Sequence, residues 1–136
     1  MMEFIEWNDS YKAGDPRMDA HHRVFFQMVA GLWKACERED VLTVAHRVSF
    51  LVAYTQMHFA AEEELMASCG FPGIAAHRLC HQEFSIRADA LARALVEAPE
   101  SVTMESVLTM MQGWFMNHIL VMDQQFTPWM EKQNQA

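Results

Sequence analysis

The chain has 136 residues, of which 51% are hydrophobic and 21% charged, so it is long enough for one domain with a sizeable apolar core. This composition excludes a disordered or fibrous chain, and the few glycines and prolines argue against a sandwich of many short strands. The formal net charge of -8, without a basic patch, makes nucleic acid an unfavourable partner. The three cysteines are widely spaced and form no CxxC pair, which indicates a reducing compartment.

Nothing in the sequence predicts insertion into a membrane. The apolar runs are short and interrupted by polar or charged residues, and the acidic N-terminal residues do not resemble a signal peptide. We therefore expect a cytoplasmic protein, and its polar outer helix faces are compatible with a monomer.

Apolar residues recur with the period of an amphipathic helix in four segments of the chain. The predicted helices cover about residues 19–38, 40–69, 73–98 and 101–128, after an N-terminal arm over residues 1–18. Because the links between them are short, neighbouring helices must run antiparallel. The sequence therefore predicts an all-α fold, an up-down-up-down four-helix bundle formed by a single domain over residues 1–136.

Residues that start and stop helices support these limits. Asp19 and Asp40 are candidate N-caps of the first two helices, because aspartate side chains accept hydrogen bonds from free backbone N–H groups. Gly70 is a candidate C-cap of the second helix, and Pro128 is expected to end the fourth. Trp7 is expected to anchor the arm to the bundle.

Histidines and carboxylates gather toward one end of the predicted bundle. His58 and Glu62 are four residues apart on the second helix, and His77 and His81 are four apart on the third, so each pair shares one helix face. At ~1.5 Å per residue, these residues and three others fall within one slab of about 10 Å. The candidate ligands are His22, His58, Glu62, His77, His81, His118 and Asp123.

A bound metal would explain this layer of polar side chains. Each pair taken alone is more often a surface feature or an ordinary core histidine. Five imidazoles and two carboxylates buried together without a partner, however, would cost several kcal/mol. His118 and Asp123 are five residues apart, so a π-bulge or a long reach by Asp123 is needed to turn both inward.

The donor set favours iron over zinc. Seven protein ligands are too many for one tetrahedral zinc, whereas imidazole combined with carboxylate suits iron. The imidazoles, two bridging carboxylates and a bridging oxide or hydroxide fill all but one of the positions of two octahedral irons. The pattern therefore predicts a diiron centre with one open position for a small ligand.

These residues occur in an order that resembles the hemerythrin family, specifically a single-domain bacteriohemerythrin. The resemblance extends over nearly the whole chain and is carried by His22, by His58-Phe-Ala-Ala-Glu62-Glu63, by His77 and His81, and by the run from Trp114 through His118 to Asp123. It implies two irons, which are bridged by Glu62, Asp123 and an oxide or hydroxide, and reversible binding of O2 at the iron with the open position.

The resemblance also implies a role for each candidate residue. The implied ligands are His77, His81 and His118 for an iron that is coordinatively full, and His22 and His58 for the iron that keeps the open position. Three residues before His118, where the family often has a leucine that lines the O2 pocket, this chain has Phe115. Phe115 is therefore expected to line the pocket.

Three polar neighbours of these residues are expected to face solvent, with a contact to the site as the alternative for His21 and Tyr54. His21 stands where the family usually has glutamine, directly before the first candidate ligand, so its side chain should point about 100° away from the layer. Tyr54 and Glu63 are also expected to lie on the surface of the bundle.

The favoured function is a binding protein, not an enzyme, that carries, stores or delivers O2. A site rich in neutral imidazoles favours ferrous iron over irreversible oxygen activation. Two alternatives stay open: a diiron enzyme that acts on peroxide or nitric oxide, and an O2-sensing module. Turnover with peroxide or nitric oxide would distinguish an enzyme from stable, reversible O2 binding.

Overall fold

The fold is built from helices throughout the described part of the chain. The computed structural model describes residues 4–12, 15–118 and 123–134, without the side chains of residues 123, 124, 131, 133 and 134. Its helices are α1 (Pro16–Glu37), α2 (Val41–Ser68), α3 (Ile74–Glu97), α4 (Met104–Leu108), α5 (Trp114–Asn117) and α6 (Asp123–Asn134). A π-helical turn (Thr109–Gly113) joins α4 to α5.

The helices form the predicted up-down-up-down bundle, in which α4, the π-helical turn and α5 form one run and α6 begins after residues 119–122, which lie outside the described residues. α2 packs against α1 and α3, and α1 packs against α4. The connections over residues 38–40, 69–73 and 98–103 are too short for anything but antiparallel neighbours. Among the described residues, no helix combines the length and the apolar character that crossing a bilayer requires.

The first helix begins earlier than its apolar periodicity predicts. Asp15 is the N-cap, and its carboxylate accepts a hydrogen bond from the backbone N–H of Met18 at 3.0 Å. The prediction of Asp19 as N-cap is wrong, because Pro16 is already suited to the first helical position and lets the helix start directly after Asp15. Asp19 is instead buried in the first turn.

The limits of α2 agree with the predicted caps. The carboxylate of Asp40 accepts a hydrogen bond from the backbone N–H of Thr43 at 3.2 Å and a second from its hydroxyl at 2.7 Å. Beyond the other end, Gly70 has a φ of 65°, a left-handed conformation that glycine adopts without steric cost. The backbone N–H of Phe71 then donates to the carbonyl of Met66 at 3.0 Å, which closes the helix end.

The last helical segment differs most from its prediction. It begins at Met104, not near residue 101, with Thr103 as the N-cap. Pro128 does not end it but lies inside α6. An interior proline costs about 3 kcal/mol, but Pro128 is exposed and is flanked by Phe126 and Met130, which are buried in the core. Packing of these two side chains holds the helix together across the proline.

The apolar core has two parts, and the candidate metal ligands contact both. The larger cluster includes Phe25, Leu32, Val44, Leu51, Phe59, Phe84, Met111 and Phe115, and the smaller one contains Met66, Phe71, Phe126 and Met130. Phe59 of the larger cluster stacks on His81, and Phe71 of the smaller cluster contacts the ring of His77 edge-on. The polar layer therefore lies where the two clusters meet.

The N-terminal arm packs on the bundle, as the position of Trp7 predicts. Trp7 meets Phe26 edge-on, with ring centroids 5.6 Å apart. Gln112, in the π-helical turn, accepts hydrogen bonds from the backbone N–H of Ile5 at 3.2 Å and from Nε1 of Trp33 at 3.0 Å. The buried side-chain oxygen of Gln112 thus connects the arm and α1 to the π-helical turn.

Candidate metal centre

Five histidines and one glutamate form a buried polar layer in the bundle. They come from α1, α2, α3 and the end of α5, and none is more than 3% exposed. They are His22, His58, Glu62, His77, His81 and His118. The candidate ligands whose side chains are described thus meet in one place.

Glu62 lies within this layer and faces two sets of histidines. Its Oε2 is 3.2 Å from Nε2 of His58. Its Oε1 is 3.2 Å from Nε2 of His81, 3.3 Å from Nε2 of His118 and 3.9 Å from Nε2 of His77. One carboxylate therefore presents a different oxygen to each set, which is the arrangement that a bridging carboxylate requires.

The donor atoms accordingly form two groups that share Glu62. In the His58 group, ligand atoms of His22, His58 and Glu62 lie within 4.8 Å of one another. In the His81 group, the same holds for Glu62, His81 and His118. His77 lies beside the His81 group, because its Nε2 approaches the same oxygen of Glu62.

Burial and neighbouring side chains act in opposite directions on Glu62. Burial alone would raise the pKa of this carboxyl, but the surrounding His118, His58 and His81 outweigh it and hold the pKa well below its usual range. Burial lowers the pKa of His58. The layer therefore favours an ionised Glu62 and a neutral His58, the states in which these side chains bind a metal cation.

The inward-facing atoms fit a metal better than they fit one another. Nε2 of His58 and Nε2 of His81 each lie 3.2 Å from an oxygen of Glu62, but neither makes an aligned hydrogen bond. Buried polar atoms without a partner are costly. Imidazole and carboxylate lone pairs that converge in this way are ligands that suit iron, so the donor set present is compatible with it.

A carboxylate outside the polar layer contacts the ring nitrogen of His81 that does not face Glu62. Its Nδ1 lies 2.9 Å from Oε2 of Glu63, and Nε of Arg78 donates a hydrogen bond to Oε1 of Glu63 at 3.2 Å. Because a carboxylate accepts hydrogen bonds, the proton of His81 belongs on Nδ1, which leaves the lone pair of Nε2 facing Glu62. The expectation that Glu63 is merely solvated is wrong, because α3 brings His81 and Arg78 to it.

His58 is held from outside the layer by another histidine. Nδ1 of His21 lies 3.0 Å from Nδ1 of His58, and the hydroxyl of Tyr54 donates a hydrogen bond to the backbone carbonyl of His21 at 3.1 Å. Burial, with help from Arg17 and His22, lowers the pKa of His21. The favoured expectation that His21 and Tyr54 face solvent is wrong, and for His21 the alternative of a contact with the site is correct, because the packing of α1 on α2 brings its ring to His58.

Two aromatic rings stack on the histidines of the His81 group. Phe59 stacks on His81 with ring centroids 3.9 Å apart, and Trp114 stacks on His118 at 4.9 Å. The faces of these two imidazoles are therefore covered by apolar surface.

Phe115 contacts the polar layer on the side of the His58 group. Its ring meets His22 edge-on at a centroid distance of 5.7 Å and stacks on Phe25. Phe115 is 2% exposed. The residue that the sequence assigns to a ligand pocket thus lies beside the His58 group.

Asp123 is the candidate ligand whose side chain lies outside the described residues. Its backbone begins α6, after residues 119–122, which are also outside the description. His118 itself has a π-helical backbone. The π-helical turn Thr109–Gly113 precedes α5 in the chain. The bridging role of Asp123 therefore stays a prediction.

The outer partners of His58 and His81 carry only a weak signal in the sequence. His21 directly precedes His22 and Glu63 directly follows Glu62, and neighbours in a helix diverge by about 100°. Such a residue points toward an adjacent helix, so its role depends on what that helix presents.

Known proteins resemble this chain in both sequence and fold. A family model described as the hemerythrin HHE cation binding domain matches residues 13–130. A bacteriohemerythrin of Stenotrophomonas maltophilia is 34% identical over 125 residues, which cover 92% of this chain and 80% of that protein. A myohemerythrin of Riftia pachyptila is 30% identical, with 86% of each chain covered. A crystal structure of wild-type hemerythrin, 22% identical, has the same fold with a TM-score of 0.84 over 93% of this chain and 97% of that chain.

Proposed function

The chain belongs to the hemerythrin family, and we propose that it binds O2 reversibly at a non-haem diiron centre. The observation that carries the proposal is Glu62, whose two oxygens face two different groups of buried histidines. A single metal would need only one such group. Reversible binding suits a protein that carries, stores or delivers O2.

The proposed ligands are divided between the two irons. They are His77, His81 and His118 for one iron, His22 and His58 for the other, and Glu62, Asp123 and an oxide or hydroxide as bridges. Asp123 enters the proposal from its place in the sequence. When bound, the pair of irons supplies two electrons and one open coordination position at which O2 can bind.

The protein itself orients the ligands and excludes water. Glu63 and His21 contact the ring nitrogens of His81 and His58 that do not face Glu62. Phe115 adds an apolar wall beside the His58 group, where the open position is proposed. Such a wall limits the access of water and protons, which favours release of intact O2 over oxidation of the site.

Metal analysis and visible absorption test this function. The purified protein should contain two irons per chain, one for each group of donors. After anaerobic reduction, air should produce an absorption band that disappears when O2 is removed. His58→Ala should lose iron and the band, whereas His46→Ala, at an exposed position of the same helix, should keep both.

Other outcomes of the same experiment would contradict the proposal. A single zinc per chain or no metal would reject the diiron centre. Sustained turnover with peroxide or nitric oxide, without reversible O2 binding, would identify the chain as a diiron enzyme instead.

A further inference from the structure

His21 is absent from the proposed ligand set, but its ring touches a ligand. Nδ1 of His21 and Nδ1 of His58 lie 3.0 Å apart, with the two rings inclined at 77°. A hydrogen bond between two ring nitrogens needs one N–H group and one lone pair. The contact therefore couples the tautomer of His58 to that of His21.

Only one of the two possible arrangements leaves His58 able to bind a metal. If His21 donated the hydrogen bond, the proton of neutral His58 would sit on Nε2. That nitrogen is buried, 3.2 Å from Oε2 of Glu62, and is the ring atom that faces the proposed metal position. A proton there would have to leave before a metal could bind. If His58 donates from Nδ1, its Nε2 lone pair faces the layer and can bind the metal.

The position of His21 is fixed by α2. The hydroxyl of Tyr54 donates a hydrogen bond to the backbone carbonyl of His21 at 3.1 Å. The rings of Tyr54 and His21 also meet edge-on, with centroids 6.1 Å apart. Backbone and ring of His21 are thus both held while its Nδ1 contacts His58.

We propose that His21 is a positioning residue that accepts the Nδ1–H of His58 and so keeps the Nε2 lone pair of His58 directed at the metal position shared with His22 and Glu62. The inference rests on the proposed function, because it gives His21 a role toward the same diiron centre. Glu63 holds His81 in the corresponding tautomer, through a carboxylate in place of an imidazole.

Iron retention by the purified diiron protein gives the first test. His21→Leu removes the acceptor, so loss of iron to a chelator should become about 10-fold faster or more, as is typical when the outer partner of a ligand is lost. His21→Gln offers a carbonyl oxygen as acceptor and should restore most of the retention. His46→Leu, at an exposed position, should behave as the wild type. Equal retention by wild type and His21→Leu would overturn the inference.

The hydrogen bond between the two rings gives a second test that needs no iron. In the full-length chain loaded with Zn2+ as a diamagnetic substitute and labelled with 15N-histidine, a bond from Nδ1–H of His58 to Nδ1 of His21 couples the two 15N nuclei across the contact of 3.0 Å. The wild type should show this coupling, His21→Leu should lose it, and His46→Leu should keep it. A wild type without the coupling, or a coupling that persists in His21→Leu, would show the inference to be wrong.

The two tests separate this inference from the function on which it rests. A wild-type chain that holds no iron would reject the diiron centre, while the spectra of the zinc-loaded chain would still decide the role of His21. A wild-type chain that holds two irons but lacks the coupling between the two rings, with a His21→Leu variant equal in iron retention, would reject the role of His21 alone.

Discussion

The His58 group and the His81 group share Glu62 but are supported from outside in different ways. The outer partner of His81 is the carboxylate of Glu63 at 2.9 Å, whereas that of His58 is the imidazole of His21 at 3.0 Å. A hydrogen bond to a carboxylate is stronger than one to a neutral acceptor, and it makes the imidazole a better donor to a metal. We therefore expect the iron of the His81 group to be held more firmly.

The two groups also differ in how aromatic rings contact their histidines. His81 and His118 each lie flat against an aromatic ring, with interplanar angles of 5° and 12°. His22 meets Phe115 and His58 edge-on, at 81° and 66°. Stacking thus covers the faces of the imidazoles in one group, while the ring contacts are edge-on in the other.

Glu62 is the residue whose loss should affect both groups at once. Glu62→Gln keeps the size of the side chain but removes the charge that both sets of histidines face, so the protein should lose both irons. Metal analysis of the purified variant checks this. Glu64→Gln, at an exposed position of the same helix, is the matched control and should keep both. A Glu62→Gln protein with full iron content would remove the basis for a bridge between the two groups.

Phe115→Ala should act on the His58 group in particular. Truncation of a buried phenylalanine typically costs about 3–5 kcal/mol of stability, so the thermal midpoint should fall clearly. Water admitted beside His22 should speed autoxidation, followed by the decay of the visible band in air, while the iron content stays unchanged. Phe50→Ala, at a side chain that is 72% exposed, should alter neither quantity. Unchanged autoxidation in Phe115→Ala would mean that Phe115 is ordinary core packing.

Glu63→Leu should weaken the His81 group. Removing the outer partner of a metal-binding histidine typically costs about 10–100-fold in affinity. Because the lost acceptor is a carboxylate, the effect on iron retention should exceed that of His21→Leu. Chelator competition on both variants measures the difference, with Glu64→Leu as an exposed neighbour for control. A larger effect at His21 would reverse the expected order of the two groups.

Tyr54→Phe should have the smallest effect. It keeps the ring beside His21 but removes one hydrogen bond to a backbone carbonyl, a change worth about 1 kcal/mol in stability. Iron should leave this variant faster than the wild type but more slowly than His21→Leu. Chemical denaturation and the same chelator assay provide the comparison. If Tyr54→Phe matched His21→Leu in iron loss, the hydroxyl, and not the imidazole, would be the main support of His58.

Local signals predicted helix limits well where one side chain decides the outcome. Asp40 caps α2, and Gly70 turns the chain after it, because a carboxylate acceptor and a residue tolerant of positive φ act within one turn of helix. Pro128 shows where this reasoning ends. Its local cost is outweighed by the burial of Phe126 and Met130, which depends on the other helices of the bundle.

The sequence by itself determined which residues could form the polar layer, because depth along a helix and direction around it follow from the helical repeat. Short links then bring the corresponding ends of the helices together, so His22, His58 and His81 could be expected to meet. Only the tertiary structure decided what lies behind each ligand. The contacts of His21 with His58 and of Glu63 with His81 depend on the distance and rotation between packed helices, which no local pattern encodes.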